Sequence, residues 1–225
     1  MIKTVQKSYV TICDALFEIN KKAGTSRMSG RFDTLTDTGK INVDYRCTPD
    51  RIFEFAIKIL TKYKDLRIRL YDDEPFVLFG KRYRFAFSEG KSFSLQIIGE
   101  KAYFTKKEGA DEQAVRAYLL RFMRSELKKE IAVRMSIYER LTGLKCEKVL
   151  INNAVSSWAT CRYDKAIIKF SSRLAQRPLE CLDMVIVHEL GHLLYHNHGK
   201  DFQAYMAKYY PDYKRVTKLL NSASQ

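Results

Sequence analysis

No segment of this 225-residue chain approaches the roughly 18 consecutive apolar residues that a membrane-spanning helix needs. The opening residues Met1 to Lys7 lead into no apolar stretch of the kind a secretory signal carries, so a cytoplasmic protein without a membrane partner is expected. The five cysteines, Cys13, Cys47, Cys146, Cys161 and Cys181, are odd in number and widely scattered, which argues against both a disulfide framework and a Cys-x-x-Cys zinc ribbon. The sequence contains no internal repeat, no glycine-rich phosphate loop, no acidic magnesium cluster and no nucleic-acid-reading motif. Acidic residues are in short supply, 26 against 40 Lys and Arg, for a formal net charge of +14. These cations are spread through every segment, as a solvated surface requires. Arg116, Arg121, Arg124, Lys128 and Lys129 nevertheless make a basic face able to hold the phosphates of a nucleic acid or nucleotide by charge alone.

Histidine is scarce as well, and its placement is informative. All four fall within eleven positions, His188, His192, His196 and His198, and the first two frame a glutamate in His188-Glu189-Leu190-Gly191-His192. This is an HExxH sequence. Helical residues four apart share a face roughly 6 Å apart, so two imidazoles can close on one zinc ion with bonds of about 2.0 to 2.1 Å. Glu189, one residue past the first histidine, is left to take a proton from a zinc-bound water as general base. The preceding Leu182-Asp183-Met184-Val185-Ile186-Val187 is mostly apolar, and burying histidines at the end of such a helix is costly unless a partner satisfies their ring nitrogens. Pro178 and Glu180 suit a helix start, which predicts a helix over 178–195. For the third metal ligand His198 is preferred to His196. On a straight helix His196 would lie about 12 Å from His188, whereas Asn197 and Gly199 allow a turn that swings His198 back. A water in the fourth position would make the site open and catalytic.

Elsewhere the patterns are those of packing. Residues 8–20 and 49–63 read as helices, the second with an apolar face of Ile52, Phe53, Ala56, Ile59, Leu60 and Tyr63 and with Thr48 as a cap. Residues 20–40, rich in Gly, Ser, Thr and Asp, read as a loop. Short β-type runs at 66–70, 76–79, 82–87, 93–98 and 102–105 predict an antiparallel sheet. A long amphipathic helix over 111–141, ended by Gly143, follows, with Val115, Leu119, Phe122, Met123, Leu127, Ile131, Met135 and Tyr138 inward. Strands near 148–152, 156–160 and 166–170 come next, the last two as a hairpin over 162–165. The expected fold is therefore α+β: an antiparallel sheet packed against a long helix and the HExxH helix. The expected division is an N-terminal helical segment with a flexible loop over 1–64, of unassigned role, and a catalytic domain over 65–225.

Several segments beyond the histidines occur in one order: Trp158-Ala159-Thr160-Cys161, Arg173-Leu174, Pro178, Asn197-His198, Asp201-Phe202 and Pro211-Asp212-Tyr213. With His188 to His192 between them, the chain resembles the YgjP-like metallopeptidase domains, relatives of the SprT-like proteases, from about residue 110 onward. Phe76 to Tyr83 also resembles the strand before that family's catalytic part. Ser157 and Ala159-Thr160 depart from the family's usual residues in the Trp strand. The resemblance implies a zincin-like fold, zinc on His188, His192 and His198, Glu189 as catalytic base, and substrate contacts from Trp158, Cys161 and Arg173. The implied activity is hydrolysis of peptide bonds by a Glu-activated zinc-bound water acting on a polypeptide substrate. Two alternatives go with it: a metal-dependent nucleoside triphosphate (UTP) pyrophosphatase, and a zinc-binding module without turnover.

Overall fold

A computed structural model of the chain describes residues 5–222. The chain divides into two compact units, the first ending at Leu70 and the second beginning at Tyr71.

In the first unit, β1 (Gln6–Ile12) and β2 (Ala15–Lys21) form a hairpin, followed by β3 (Ser29–Asp33), β4 (Thr38–Val43) and α1 (Pro49–Tyr63). The strand order is β1-β2-β4-β3, with β2 and β4 parallel and the other pairs antiparallel. The helix expected over 8–20 is therefore a hairpin. Its apolar residues obey a period of two, with Ala15, Phe17 and Ile19 buried and Leu16 45% exposed. The two turn residues, Cys13 and Asp14, both have positive φ, 47° and 64°. That is the turn hairpins prefer, made here without the glycine that usually advertises it. Residues 20–40 are likewise no loop, since they contain β3 and the first part of β4. Phe32 and Ile41 anchor these strands in the core at 2% and 0% exposure, and the polar residues face outward.

The helix α1 lays Ile52, Ala56, Ile59 and Leu60 on this sheet, while Phe53 stays 53% exposed. Thr48 holds the N-cap position but makes no side-chain cap bond, and Pro49 supplies the pre-set first turn. No strand forms at 66–70. That segment is fixed instead by Ile68 N donating to the Thr34 carbonyl at 3.2 Å and by a buried ion pair. Arg67 donates to both Asp37 carboxylate oxygens at 2.7 and 2.9 Å and to the Cys13 carbonyl at 2.7 Å. The guanidinium thereby ties two turns to the segment after α1.

The second unit opens with β5 (Pro75–Leu78), β6 (Lys81–Gly90), β7 (Ser94–Ile98) and β8 (Lys101–Lys107). Their order is β5-β6-β8-β7, and β6 runs parallel to β8. The sheet is mixed rather than antiparallel, because β7 takes the outer edge and β8 returns beside β6. That return sets Phe87 edge-to-face with Phe104, centroids 5.4 Å apart. Next comes α2 (Glu112–Thr142), capped by Asp111 accepting from Ala114 N at 2.7 Å and ended by left-handed Gly143. Every fourth residue from Val115 to Met135 is buried along it. A second sheet is built from β9 (Lys148–Asn152), β10 (Ala159–Arg162) and β11 (Ile167–Ser171), in the order β10-β11-β9, with β9 and β11 parallel. The hairpin strand expected at 156–160 thus begins three residues later.

The chain closes with α3 (Leu179–Gly191), α4 (Lys200–Tyr209) and α5 (Tyr213–Asn221). The first of these packs against α2, α4, α5 and β10, which explains its nearly unbroken burial. Its start is pinned from outside: Phe79 N donates to the Ala175 carbonyl at 2.7 Å, and Gly80, at φ 78°, lies where a Cβ would meet Pro178 at 2.9 Å. The Arg134 guanidinium of α2 reaches Asp183 of α3 at 3.0 Å. No helix among the described residues is long and apolar enough to cross a membrane.

Candidate metal centre

The helix α3 ends at Gly191, four residues short of the expected terminus, and His192 occupies its C-cap position. Gly191 is required there. A Cβ would stand 2.6 Å from the Tyr205 ring and 3.1 Å from that of Phe202. After the cap the chain turns through residues 193–199 into α4, and this turn brings His198 back to the helix.

The Nε2 atoms of His192 and His198 lie 3.2 and 3.1 Å from His188 Nε2, and donor atoms of all three rings fall within 4.8 Å of one another. Two nitrogens on one tetrahedral ion with bonds of 2.0 to 2.1 Å are separated by about 3.3 Å. His192 Nδ1 is 2.9 Å from the Tyr195 carbonyl, which can only accept, so Nδ1 carries the proton and Nε2 presents a lone pair. Burial, helped by the neighbouring His192 and His198, pushes His188 down to about 4 and keeps it neutral. Phe202 lies under the cluster, its centroid 4.8 to 4.9 Å from each of the three rings.

Glu189 is 5% exposed, and its Oε2 has no hydrogen-bond partner among the described residues. Burial alone pushes its carboxyl up to about 8. Burying a carboxyl oxygen without a partner and crowding three imidazole nitrogens together are both costly in the protein alone, and a dication held by those nitrogens would offset that cost. The donor set therefore fits a metal ion. Among the described residues no fourth protein ligand joins the three histidines, as in an open site.

His196 is spent elsewhere. Its ring stacks on Tyr163 at 3.7 Å between centroids, tilted by 21°. The reason differs from the one sequence suggests, because there is no straight helix at that point to carry His196 past the site. Zinc content measured by mass spectrometry is expected to fall sharply in His198→Ala and to stay near wild type in His196→Ala; the reverse pattern would remove His198 from the shell.

Of the other residues singled out in the sequence, Cys161 lies on β10, close enough to Glu189 for that carboxylate to act on it. Burial first, and Glu189 second, push its thiol up to about 12. It is a thiol at neutral pH and no nucleophile. Iodoacetamide labelling of the native protein, mapped by peptide, is expected to reach exposed Cys13 well before Cys161; equal rates would show a thiolate at Cys161. Trp158 and Arg173 meet each other: the Arg173 guanidinium lies 4.5 Å and that of Arg177 5.1 Å from the Trp158 ring centroid. Trp158 Nε1 donates to Asn221 at 3.1 Å, and Arg173 donates to the Val155 carbonyl at 2.8 Å. Within the basic face, Arg116 pairs with Glu112 and Lys129 with Glu126.

Sequence reasoning gave no role to Tyr195 or Phe202 in the site. A backbone carbonyl leaves no trace in residue identity, and Phe202 was visible only as one member of a family pattern.

The YgjP-like, metallopeptidase domain family matches residues 54–223, from within α1 to the C-terminal end. The chain belongs to that family. No curated protein matches it. As a YgjP-like metallopeptidase domain it is expected to use a metal ion and to hydrolyse polypeptide, and the three histidines are where its α+β fold gathers donors.

Proposed function

We propose that this YgjP-like chain is a zinc-dependent peptidase of zincin type, with zinc held by His188, His192 and His198 and Glu189 as general base. The observation that carries this reading is the convergence of three imidazole nitrogens, two of them from the helix on which Glu189 is buried with an Oε2 that has no hydrogen-bond partner among the described residues. Bound there, zinc supplies the charge that lowers the pKa of a water to about 7 and polarises a substrate carbonyl. The remaining work falls to the chain. Glu189 accepts the proton of the attacking water on its carboxylate and passes one to the departing amine. The Tyr195 carbonyl holds the His192 proton on Nδ1, and Phe202 walls the cluster with an apolar surface.

The strand β10 is an edge of its sheet and packs on α3, so an extended polypeptide can add to it beside the histidines. Trp158 and Arg173 are assigned to bracing that strand's approach, and Cys161 to lining it. Purified, zinc-loaded protein is to be tested against unfolded polypeptides and against nucleoside triphosphates including UTP. Peptide cleavage without pyrophosphate release is expected. Pyrophosphate release without cleavage would replace the reading with a nucleotide hydrolase, and neither product would leave a zinc-binding module.

A further inference from the structure

The sheet that carries β10 has a second edge, β9, which catalysis does not use. Between β9 and α2 runs an open groove of about 640 Å³. Its floor is aliphatic, with Ile131 and Met135 from the helix and Val149 and Leu150 from the strand. Its rim carries Arg121, Arg124 and Lys128, spaced along one side of α2. From Arg121 to Met135 the helix rises about 21 Å, room for about six residues of extended chain at about 3.3 Å each.

The cations of this rim differ from their neighbours. Arg116, Lys129 and Arg134 on the same helix pair with Glu112, Glu126 and Glu130. Arg121 and Lys128 are exposed and have no acidic partner among the described residues. Arg124 points at the strand instead and donates to the Ile151 carbonyl at 2.7 Å. Among the described residues the strand pairs only with β11, and Val149 is 37% exposed. Proteins ordinarily cover or charge such an edge.

We propose that this groove binds an extended, acidic segment of a partner polypeptide as a further strand beside β9. Its apolar side chains would rest on Ile131, Met135 and Val149, and its carboxylates on Arg121, Arg124 and Lys128. The Ile151 carbonyl passes from Arg124 to a peptide N–H, which frees that guanidinium for a bidentate carboxylate. A second copy of a chain with net charge +14 is a poor occupant. A single-stranded nucleic acid would want aromatic rings to stack on, and this lining has none.

The test is fluorescence anisotropy of the full chain with a labelled ten-residue peptide alternating Glu and Val, beside a twin with Lys for Glu. The acidic peptide is expected to bind, more weakly as salt rises, and the basic twin not to bind. Arg121→Glu with Lys128→Glu is expected to weaken binding at least tenfold, and Ala132→Trp, which fills the groove from another exposed position, to do the same. Far-ultraviolet circular dichroism should be unchanged in both variants. Binding should survive chelation of the metal, which separates this groove from the histidine site. The proposal is overturned if the basic twin binds equally or if the charge-reversed protein keeps its affinity. It is overturned too if single-stranded DNA or anionic phospholipid vesicles bind through Arg121 and Lys128 while the acidic peptide does not bind.

Discussion

Glu189→Gln is expected to lower peptide turnover by roughly a hundred- to ten-thousand-fold while zinc content stays at the wild-type level. Amide and carboxylate have nearly the same shape, so the three histidines keep their places, but at neutral pH only the carboxylate takes up a proton. The structure adds a second readout. Glu189 is buried with an unpartnered oxygen, and burial disfavours its ionised form. Replacing it by a neutral amide relieves the metal-free protein of a potential buried charge, so its thermal midpoint should hold or rise as activity collapses. Active sites that trade stability for chemistry behave this way. A Glu189→Gln protein that cleaves peptide at the wild-type rate would end the proposed mechanism, whatever its stability.

The largest expected stability loss lies in the other unit. Asp37→Ala leaves the Arg67 guanidinium, 7% exposed, buried without the carboxylate that now takes two of its hydrogen bonds. Removing one partner of a buried pair costs about 3 to 5 kcal/mol, more than the pair itself contributes. Urea unfolding followed by far-ultraviolet circular dichroism should show an early transition in Asp37→Ala. Tryptophan fluorescence should not share it, because the single tryptophan, Trp158, belongs to the second unit. Replacing both partners by apolar residues, Asp37→Leu with Arg67→Met, should recover much of the loss. A single variant within about 1 kcal/mol of wild type would show that the pair is no more than a surface ion pair in effect.

Legibility in the sequence followed the type of signal. The long helix was plain because Asp111, Gly143 and a regular apolar stripe agree, and all three do what their residue types suggest. The gathering of His188, His192 and His198 was plain because histidine is rare here and clustered. The N-terminal unit was misread because its turn at Cys13 and Asp14 lacks glycine and because β3 and β4 need only a few apolar anchors among polar residues. The parallel pairing of β6 with β8 was beyond reach for another reason: strand patterns show which face is buried and say nothing of which neighbour a strand chooses. At the site, the early end of α3 was hidden because Leu193 and Leu194 continue an apolar pattern after the helix has stopped.

Tyr195 contributes to the histidine cluster through its main-chain oxygen alone. An alanine scan of the loop would remove the phenol, which touches Tyr205 at 6.0 Å between centroids, and leave the oxygen in place. Such a survey would score position 195 as dispensable while the group that orients His192 went untested. Reaching it takes chemistry on the backbone, such as an ester in place of the amide that carries that oxygen, which weakens the carbonyl as an acceptor without changing any side chain.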